Sequence, residues 1–504
     1  MQCTGEGPAR GLIWIKLPVQ PLGQSCCMEP ISNPDPTRQT SAHRGAGFVP
    51  DAALLARLDA PGPRYTSYPT ADRFTEAHDL DAHRHALAVR GIGGLTRPLS
   101  LYVHVPFCES ICYYCACNKV VTRDKTKARR YLAALFREAE LTRQAMSHTS
   151  PVTQLHLGGG TPTFLDDDQL QSLVDKLESL FPFSANAERS IEVDPRTVDA
   201  ERLHALRRMG FNRISFGIQD FDRDVQAAVH RVQSEEAVFS LMAAARAEGF
   251  ESINVDLIYG LPKQTPASFN RTLDTLARLA PDRVAVYAYA HLPERFKPQR
   301  RIHDYDLPNA SARVAMLHSA ITRLEEAGWD YIGMDHFARP DDALAIAKRQ
   351  GRMHRNFQGY TTQPDCDLIA LGVSAISRVG ATYAQNVRTL DEYYDAIEGG
   401  RLPVFRGHAM SADDLLRHAV IMAIMCQGVL NFEVLDIAYL IDSRRHFADE
   451  LAMMDSYVAQ GLVEIDDEGL RVTEAGWFLV RAIARVFDRY AQRASAQVQF
   501  SRIL

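Results

Sequence analysis

Four cysteines fall within ten residues, in the string Cys108-Glu-Ser-Ile-Cys112-Tyr-Tyr-Cys115-Ala-Cys117. Three thiolates spaced x3 and x2 on one loop can wrap a single inorganic cluster. Structural zinc more often draws two separated ligand pairs, and the remaining cysteines offer no second pair, since Cys366 and Cys426 stand alone. An iron–sulfur cluster is therefore favoured over zinc. Three protein ligands on a four-iron cluster leave one iron open, which is useful only where a substrate or cofactor binds it.

Such a loop needs a scaffold that brings other polar groups to the same place. From residue 101 onward, short apolar runs alternate with amphipathic stretches. The runs predict strands at 101–105, 154–157, 190–193, 213–217, 253–258 and 284–289. Helical periods fall between them at 128–145, 169–180, 200–209, 235–248 and 268–279, and a last one at 310–327 follows the sixth strand. Six strand–helix units imply an α/β fold with a parallel sheet, because parallel neighbours need a helix-length crossover. Periodicity alone leaves open whether that sheet is doubly wound or a partial barrel. In a barrel, Cys108, Gly159, Glu192, Gln219, Asp256 and Ala290 would all lie at or just past strand C-termini, around one mouth.

The chain has 504 residues, 46% of them hydrophobic and 23% charged, ample for a buried core. Lys plus Arg number 56 against 62 Asp plus Glu, a formal charge of −6, which argues against a nucleic-acid coat or a polybasic membrane binder. The longest apolar run of the C-terminal part, 419–426, is far short of the roughly 20 residues of a membrane span. Nine cysteines, with no secretory leader pattern, fit a reducing cytosol. Residues 1–46 read as a disordered leader, with Met28 an alternative start and Cys3, Cys26 and Cys27 incidental; a short helical pattern follows at 51–58. The expected domains are this leader, an N-terminal segment at 47–99, the α/β unit at 100–335, and a mostly helical domain at 336–504 in which strands are sparse. Helices at 412–425, 447–460 and 475–490 flank a hairpin at 463–472, an arrangement like a winged helix. The hairpin tip, Asp466-Asp467-Glu468, would repel phosphates.

The cysteine loop after a first strand resembles the radical S-adenosylmethionine (radical SAM) superfamily. The string from Leu101-Tyr-Val-His-Val-Pro-Phe-Cys108 to Cys117-Asn118-Lys119 is similar to the oxygen-independent coproporphyrinogen III oxidase family of haem biosynthesis. Further matching strings are Gly158-Gly-Gly-Thr-Pro162, Ile191-Glu-Val-Asp-Pro195, Gly217-Ile-Gln-Asp220, Asp256-Leu-Ile-Tyr-Gly-Leu-Pro262, Gly333-Met-Asp-His-Phe337 and Asn356-Phe-Gln-Gly-Tyr360. The likeness runs from about Arg64 to Leu504.

It implies a partial parallel (β/α)6 barrel, a mostly helical C-terminal domain and an N-terminal extension. It also implies one 4Fe-4S cluster on Cys108, Cys112 and Cys115 and two SAM molecules. Tyr102, Gly159, Glu192 and Ile376 match positions around the cluster-bound SAM; Tyr114, Gly160, Thr161, Gln219, Arg231, Asp256 and Ala290 match those around the second. Tyr114 fills a Phe-like slot. In chemical terms, Glu192 can accept from ribose hydroxyls or an ammonium, Arg231 can pair with a carboxylate, and Asp256 suits a ribose diol. The glycine run fails as a dinucleotide fingerprint, because Thr163 stands where the third glycine is required. It would instead offer bare backbone to the SAM amino group.

The resemblance further implies that two propionates of coproporphyrinogen III are decarboxylated to vinyls, giving protoporphyrinogen IX. The hydrogen acceptor would be a SAM-derived 5′-deoxyadenosyl radical, and the electron donor a flavodoxin or ferredoxin. A cytoplasmic monomer with no nucleic-acid partner is expected. Cys117 and Gln358 are the candidate catalytic residues, with Phe357 beside Gln358. Arg300, Arg301, His354 and Arg355 are candidates for a basic rim facing the propionates. The alternative is a haem chaperone of the related branch, against which Cys117-Asn118-Lys119 speaks.

Overall fold

The computed structural model describes residues 62–92, 96–363 and 365–493. The leader, its three cysteines, Met28 and the helical pattern at 51–58 lie outside the described residues.

Six parallel strands form the centre: β1 (Leu99–Val105), β2 (Val152–Gly159), β3 (Phe183–Val193), β4 (Arg213–Gln219), β5 (Ser252–Tyr259) and β6 (Arg283–Ala288). They pair in sequence order, each parallel to the next. The helices α1 (Thr126–Ala145), α2 (Asp167–Leu180), α3 (Ala200–Arg208), α4 (Glu235–Ala247) and α5 (Pro266–Leu279) return the chain between successive strands, and α6 (Ala310–Glu326) follows β6. Local chemistry fixes where helices start. Asp166 and Gln169 close a capping box on α2, and Thr265 caps α5, which has Pro266 at its first position.

Each strand of the barrel alternates. On β1, Leu101, Val103 and Val105 are fully buried in the layer between sheet and helices. Ser100, Tyr102 and His104 point the other way, and that face is polar from strand to strand. The Ser100 hydroxyl donates to Gln154 Oε1 (3.0 Å) and Tyr102 stacks on His156, with ring centroids 5.9 Å apart. The interior of the curled sheet is thus a polar lumen, while its outside carries the apolar core.

The sheet does not end with the sixth unit. Among the described residues it has twelve strands: β7 (Asp330–Gly333) and β8 (His336–Ala338) extend it antiparallel beyond β6. On the other flank, β9 (Asp367–Leu371) lies parallel to β1, followed by antiparallel β10 (Ile376–Val379), β11 (Thr382–Asn386) and β12 (Val404–Ala409). This corrects the expectation that strands become sparse after residue 340. β9 is buried on both faces, so it lacks the period-2 alternation by which half-buried strands are read.

The helical C-terminal part packs its own apolar cluster around α7 (Ala412–Gln427), including Val420, Ile421, Ile424 and Met425. The expected hairpin forms as strands Val463–Ile465 and Gly469–Val472, joined by Val429–Asn431. The helix expected at 475–490 is broken into Glu474–Trp477, Val480–Arg485 and a segment beginning at Arg489. Among the described residues no helix is long and apolar enough to cross a membrane.

Candidate active site

The cysteine loop leaves β1 and is sewn back onto the barrel. Residues Phe107–Cys108 pair in parallel with Val120–Val121, and the Thr122 N–H donates to the Cys108 carbonyl at 2.9 Å. At the loop's centre the Tyr113 N–H donates to the Val229 carbonyl (3.0 Å), and the Tyr113 ring stacks on His230 at 5.2 Å. Lys119 closes the end, its ammonium donating to the carbonyls of Cys115 (3.2 Å) and Cys117 (3.4 Å).

The three thiols Cys108, Cys112 and Cys115 sit in unequal surroundings. Thr161 Oγ1 donates to Cys108 Sγ at 3.5 Å, and burial pushes the Cys108 thiol up to about 11. Hydrogen bonding from the Cys117 thiol, aided by Lys119, holds Cys115 down to about 6. Cys112 is buried and receives two guanidinium N–H groups, from Arg231 Nη1 (3.4 Å) and Arg196 Nη2 (3.7 Å). Cys108 is within electrostatic reach of both Cys112 and Cys115. Among the described residues, no three His, Cys, Asp or Glu side chains gather into a site for a metal ion. Three thiols on one loop, with N–H and O–H donors aimed at sulfur, are the donor set of a sulfur-rich cluster rather than of a hard cation.

Asp194 organises those donors. Its carboxylate accepts from Arg196 Nη2 (2.7 Å) and Arg231 Nη1 (3.0 Å) and also caps the turn after β3 by accepting from the Arg196 N–H. Burial alone would raise its carboxyl; the Arg196 hydrogen bond and both guanidinium charges outweigh burial and hold it below the usual range. Arg231 is engaged on Asp194, Cys112 Sγ and the Gly217 carbonyl (3.1 Å). Neither Asp194 nor Arg196 was among the expected site residues, although Asp194 lies in the Ile191–Pro195 string. The available signal was an acid just past a strand end with an arginine two residues on.

The lumen side of the mouth carries the two expected carboxylates. Glu192 accepts from the Gly159 N–H (3.2 Å) and pairs with His156 Nε2 (3.2 Å), which outweighs burial and lowers its carboxyl. Tyr102 shares a hydrogen bond with His104 Nδ1 (3.1 Å). Asp256 sits inside β5, three residues before its end rather than at it, and accepts from Ser215 Oγ (3.1 Å) and Asn254 Nδ2 (2.8 Å). Burial, with the Glu192 charge nearby, pushes Asp256 up to about 6.

That shift carries a testable consequence. An unfolded Asp titrates near ~3.9, so the folded state penalises the ionised form by on the order of 2–3 kcal/mol above about pH 6. Asp256→Asn is expected to raise the melting temperature at neutral pH, with the gain shrinking as pH falls from about 6 toward ~4. The same change is expected to weaken SAM binding while iron content holds. A variant that melts no higher at neutral pH would show that the carboxylate is not under strain.

The glycine run has a packing explanation. A Cβ at Gly158 would lie 2.9 Å from the Glu192 carboxylate, one at Gly159 2.6 Å from the His104 ring, and one at Gly160 2.7 Å from the Phe107 carbonyl. Gly159 also has φ +114°, and its N–H is used by Glu192, so the backbone is bare because the mouth closes on it. Gln219 ends β4 at φ +73°, at a register break. Tyr114 packs partly against an apolar cluster with Ile258, Leu261 and Tyr289. A buried Gln299, not anticipated, ties this side together: its Nε2 donates to the carbonyls of Tyr114 (2.9 Å) and Ala290 (3.2 Å).

Cys117 is exposed, two residues beyond Cys115, with its thiol directed at the Cys115 sulfur. Other expected residues lie apart. Ile376 is on β10, packed with Phe357 against Phe74 and Tyr383. Gln358 occupies the turn between strands His354–Asn356 and Gly359–Thr361, its side-chain oxygen buried without a hydrogen-bond partner. The four rim candidates do not form one rim. Arg300 and Arg301 are exposed near the cluster loop, with Arg301 over the Tyr113 ring at 5.0 Å, whereas His354 and Arg355 belong to the hairpin and Arg355 is buried.

Residues 102–276 match the Radical SAM superfamily, and residues 410–479, the region with the winged-helix-like pattern, match the HemN C-terminal domain. The chain is 47% identical over 456 residues to the oxygen-independent coproporphyrinogen III oxidase of Pseudomonas aeruginosa, covering 90% of this chain and 98% of that one. With its Escherichia coli K12 counterpart identity is 46% over 454 residues, at the same coverage. The chain belongs to the oxygen-independent coproporphyrinogen III oxidase family. The crystal structure of coproporphyrinogen III oxidase (HemN) from Escherichia coli, described as a radical SAM enzyme, superposes with a TM-score of 0.83, covering 88% of this chain and all of that one. These relatives favour the oxidase branch of this family over the chaperone alternative. Membership in the radical SAM superfamily implies a 4Fe-4S cluster and SAM.

Proposed function

We propose that this chain oxidatively decarboxylates two propionates of coproporphyrinogen III to vinyl groups, yielding protoporphyrinogen IX without oxygen. The observation that carries this is the identity of 46–47% across almost the whole length of named oxidases, with the three-cysteine loop at the barrel mouth. When bound, the cluster and SAM would supply radical chemistry able to remove one hydrogen atom from a propionate side chain. Loss of carbon dioxide and of one electron to an acceptor then leaves the vinyl group.

The chain's residues bind and position. Cys108, Cys112 and Cys115 would hold the cluster, and Arg196 and Arg231 donate to Cys112 Sγ. Tyr102, Gly159, Glu192 and Ile376 serve one SAM molecule; Tyr114, Gly160, Thr161, Gln219, Arg231, Asp256 and Ala290 serve a second. A flavodoxin or ferredoxin is the electron donor, and the enzyme works as a cytoplasmic monomer. An anaerobic assay with reconstituted protein, SAM, a reductant and coproporphyrinogen III tests the reaction: vinyl product should form together with 5′-deoxyadenosine, and SAM cleavage without vinyl product would overturn it.

Cys117 divides the roles within the loop. A fourth thiolate on the cluster would occupy the iron that SAM needs, so Cys117 stays off it and acts on the substrate side. Cys117→Ser is expected to keep a normal cluster spectrum and SAM binding yet lose most decarboxylation. Full turnover by this variant would reduce Cys117 to packing.

A further inference from the structure

At the end of the barrel away from the cysteine loop lies a cavity of about 320 Å³, at the low end of the ~300–1,000 Å³ typical of small-molecule sites. Ser100 and Gln154 line it from near the starts of β1 and β2, the hairpin at 354–361 forms one wall, and α7 covers it with Ala419 and Ala423. At ~3.3 Å per residue, Gln154 is about 16 Å along β2 from Gly159 at the mouth.

Its charge is unbalanced. Arg97, Arg355 and Arg378 line the cavity against a single carboxylate, Asp365. Asp365 accepts from both Arg97 (2.8 Å) and Arg378 (2.7 Å). Arg355, 8% exposed, is given no carboxylate: its Nε and Nη2 donate to the Arg64 carbonyl (3.3 and 3.1 Å), its guanidinium lies 4.6 Å over the Tyr360 ring, and its Nη1 is buried without an acceptor. His354 and His418, also in the lining, are both lowered by burial and stay neutral, so neither adds nor removes charge. A buried guanidinium is costly unless an anion pairs with it, and its planar fork suits a carboxylate. Ser100, which lines the cavity, shares its face of β1 with Tyr102 and His104, so the cavity lies on the lumen side of the sheet, as the candidate active site does.

We propose that this cavity seats a propionate of the tetrapyrrole that is not decarboxylated, with Arg355 as its anchor. The assignment rests on the coproporphyrinogen reading. Two of the substrate's four propionates survive the reaction on the same macrocycle as the two that react. An anchor at the far end of the lumen holds a surviving carboxylate while a reacting side chain stays at the cluster end.

The test is steady-state turnover of coproporphyrinogen III by reconstituted holoenzyme. Arg355→Met is expected to raise KM about tenfold, the loss of one charge-assisted pair, with kcat moving far less, and Arg355→Lys should recover part of the loss. Because Arg355 also braces Arg64 and Tyr360, a second variant, Ala423→Phe, fills the cavity from α7 without altering the arginine. It should raise KM to a similar extent with the cluster spectrum intact. Wild-type KM in both variants would overturn the anchor. A wild-type enzyme that cleaves SAM but leaves coproporphyrinogen III untouched would overturn the reaction reading, and the anchor with it.

Discussion

Replacing Cys112 with Ala should yield a protein that retains no 4Fe-4S cluster after anaerobic reconstitution. Under the proposed function each of the three loop cysteines supplies one of only three protein thiolates, so Cys108→Ala and Cys115→Ala should fail as well. Cys112 carries the largest added cost. Its sulfur is the acceptor for two guanidinium groups, and without it Arg196 and Arg231 face each other across Asp194 with one carboxylate between them. Cys366, hydrogen-bonded to Thr153, and the buried Cys426 lie elsewhere, so Cys366→Ala and Cys426→Ala should leave iron content unchanged. Iron and sulfide analysis with electron paramagnetic resonance after reduction decides it. A full cluster in Cys112→Ala would show the ligand assignment to be wrong.

The parts of this molecule written in short-range patterns could be read from its residues. The cysteine spacing and the six strand–helix units follow from period and local composition. Strand 253–258 and observed β5 differ by a residue at each end, as terminal residues commonly do. The failures share a cause: the deciding contact lies far along the chain. β9 depends on pairing with β1 across more than 260 residues, and nothing in Asp367–Leu371 announces it. Arg355 was expected on an exposed rim beside Arg300, because a bare arginine gives no sign that Tyr360 and Arg64 will bury it. The glycine run shows the converse. Its composition was plain, but its reason, the approach of Glu192, His104 and the Phe107 backbone, exists only once three separate segments meet.

Asp194 was missed for the same reason, and its removal is the second large effect expected. Asp194→Asn keeps the side-chain shape and removes the charge, leaving two guanidinium groups side by side with no counter-ion. Breaking a buried ion pair by removing one partner typically costs about 3–5 kcal/mol. Arg196 is partly exposed, with 22% of its side chain open to solvent, so solvent screens part of the loss and a destabilisation of about 3 kcal/mol is expected. The pH dependence has a definite sign. The folded carboxyl titrates below its unfolded value of ~3.9, so its contribution is full above that value and is lost as pH falls through the folded one. Thermal unfolding should therefore separate wild type and Asp194→Asn most at neutral pH and bring them together in acid. The cluster gives an independent signal, because releasing Arg196 and Arg231 from the carboxylate frees the N–H donors aimed at Cys112 Sγ. The reduced-cluster resonance of the variant should shift even where iron content is preserved. Equal melting temperatures at neutral pH with an unshifted resonance would mean that Asp194 does not hold the arginines against the cluster loop.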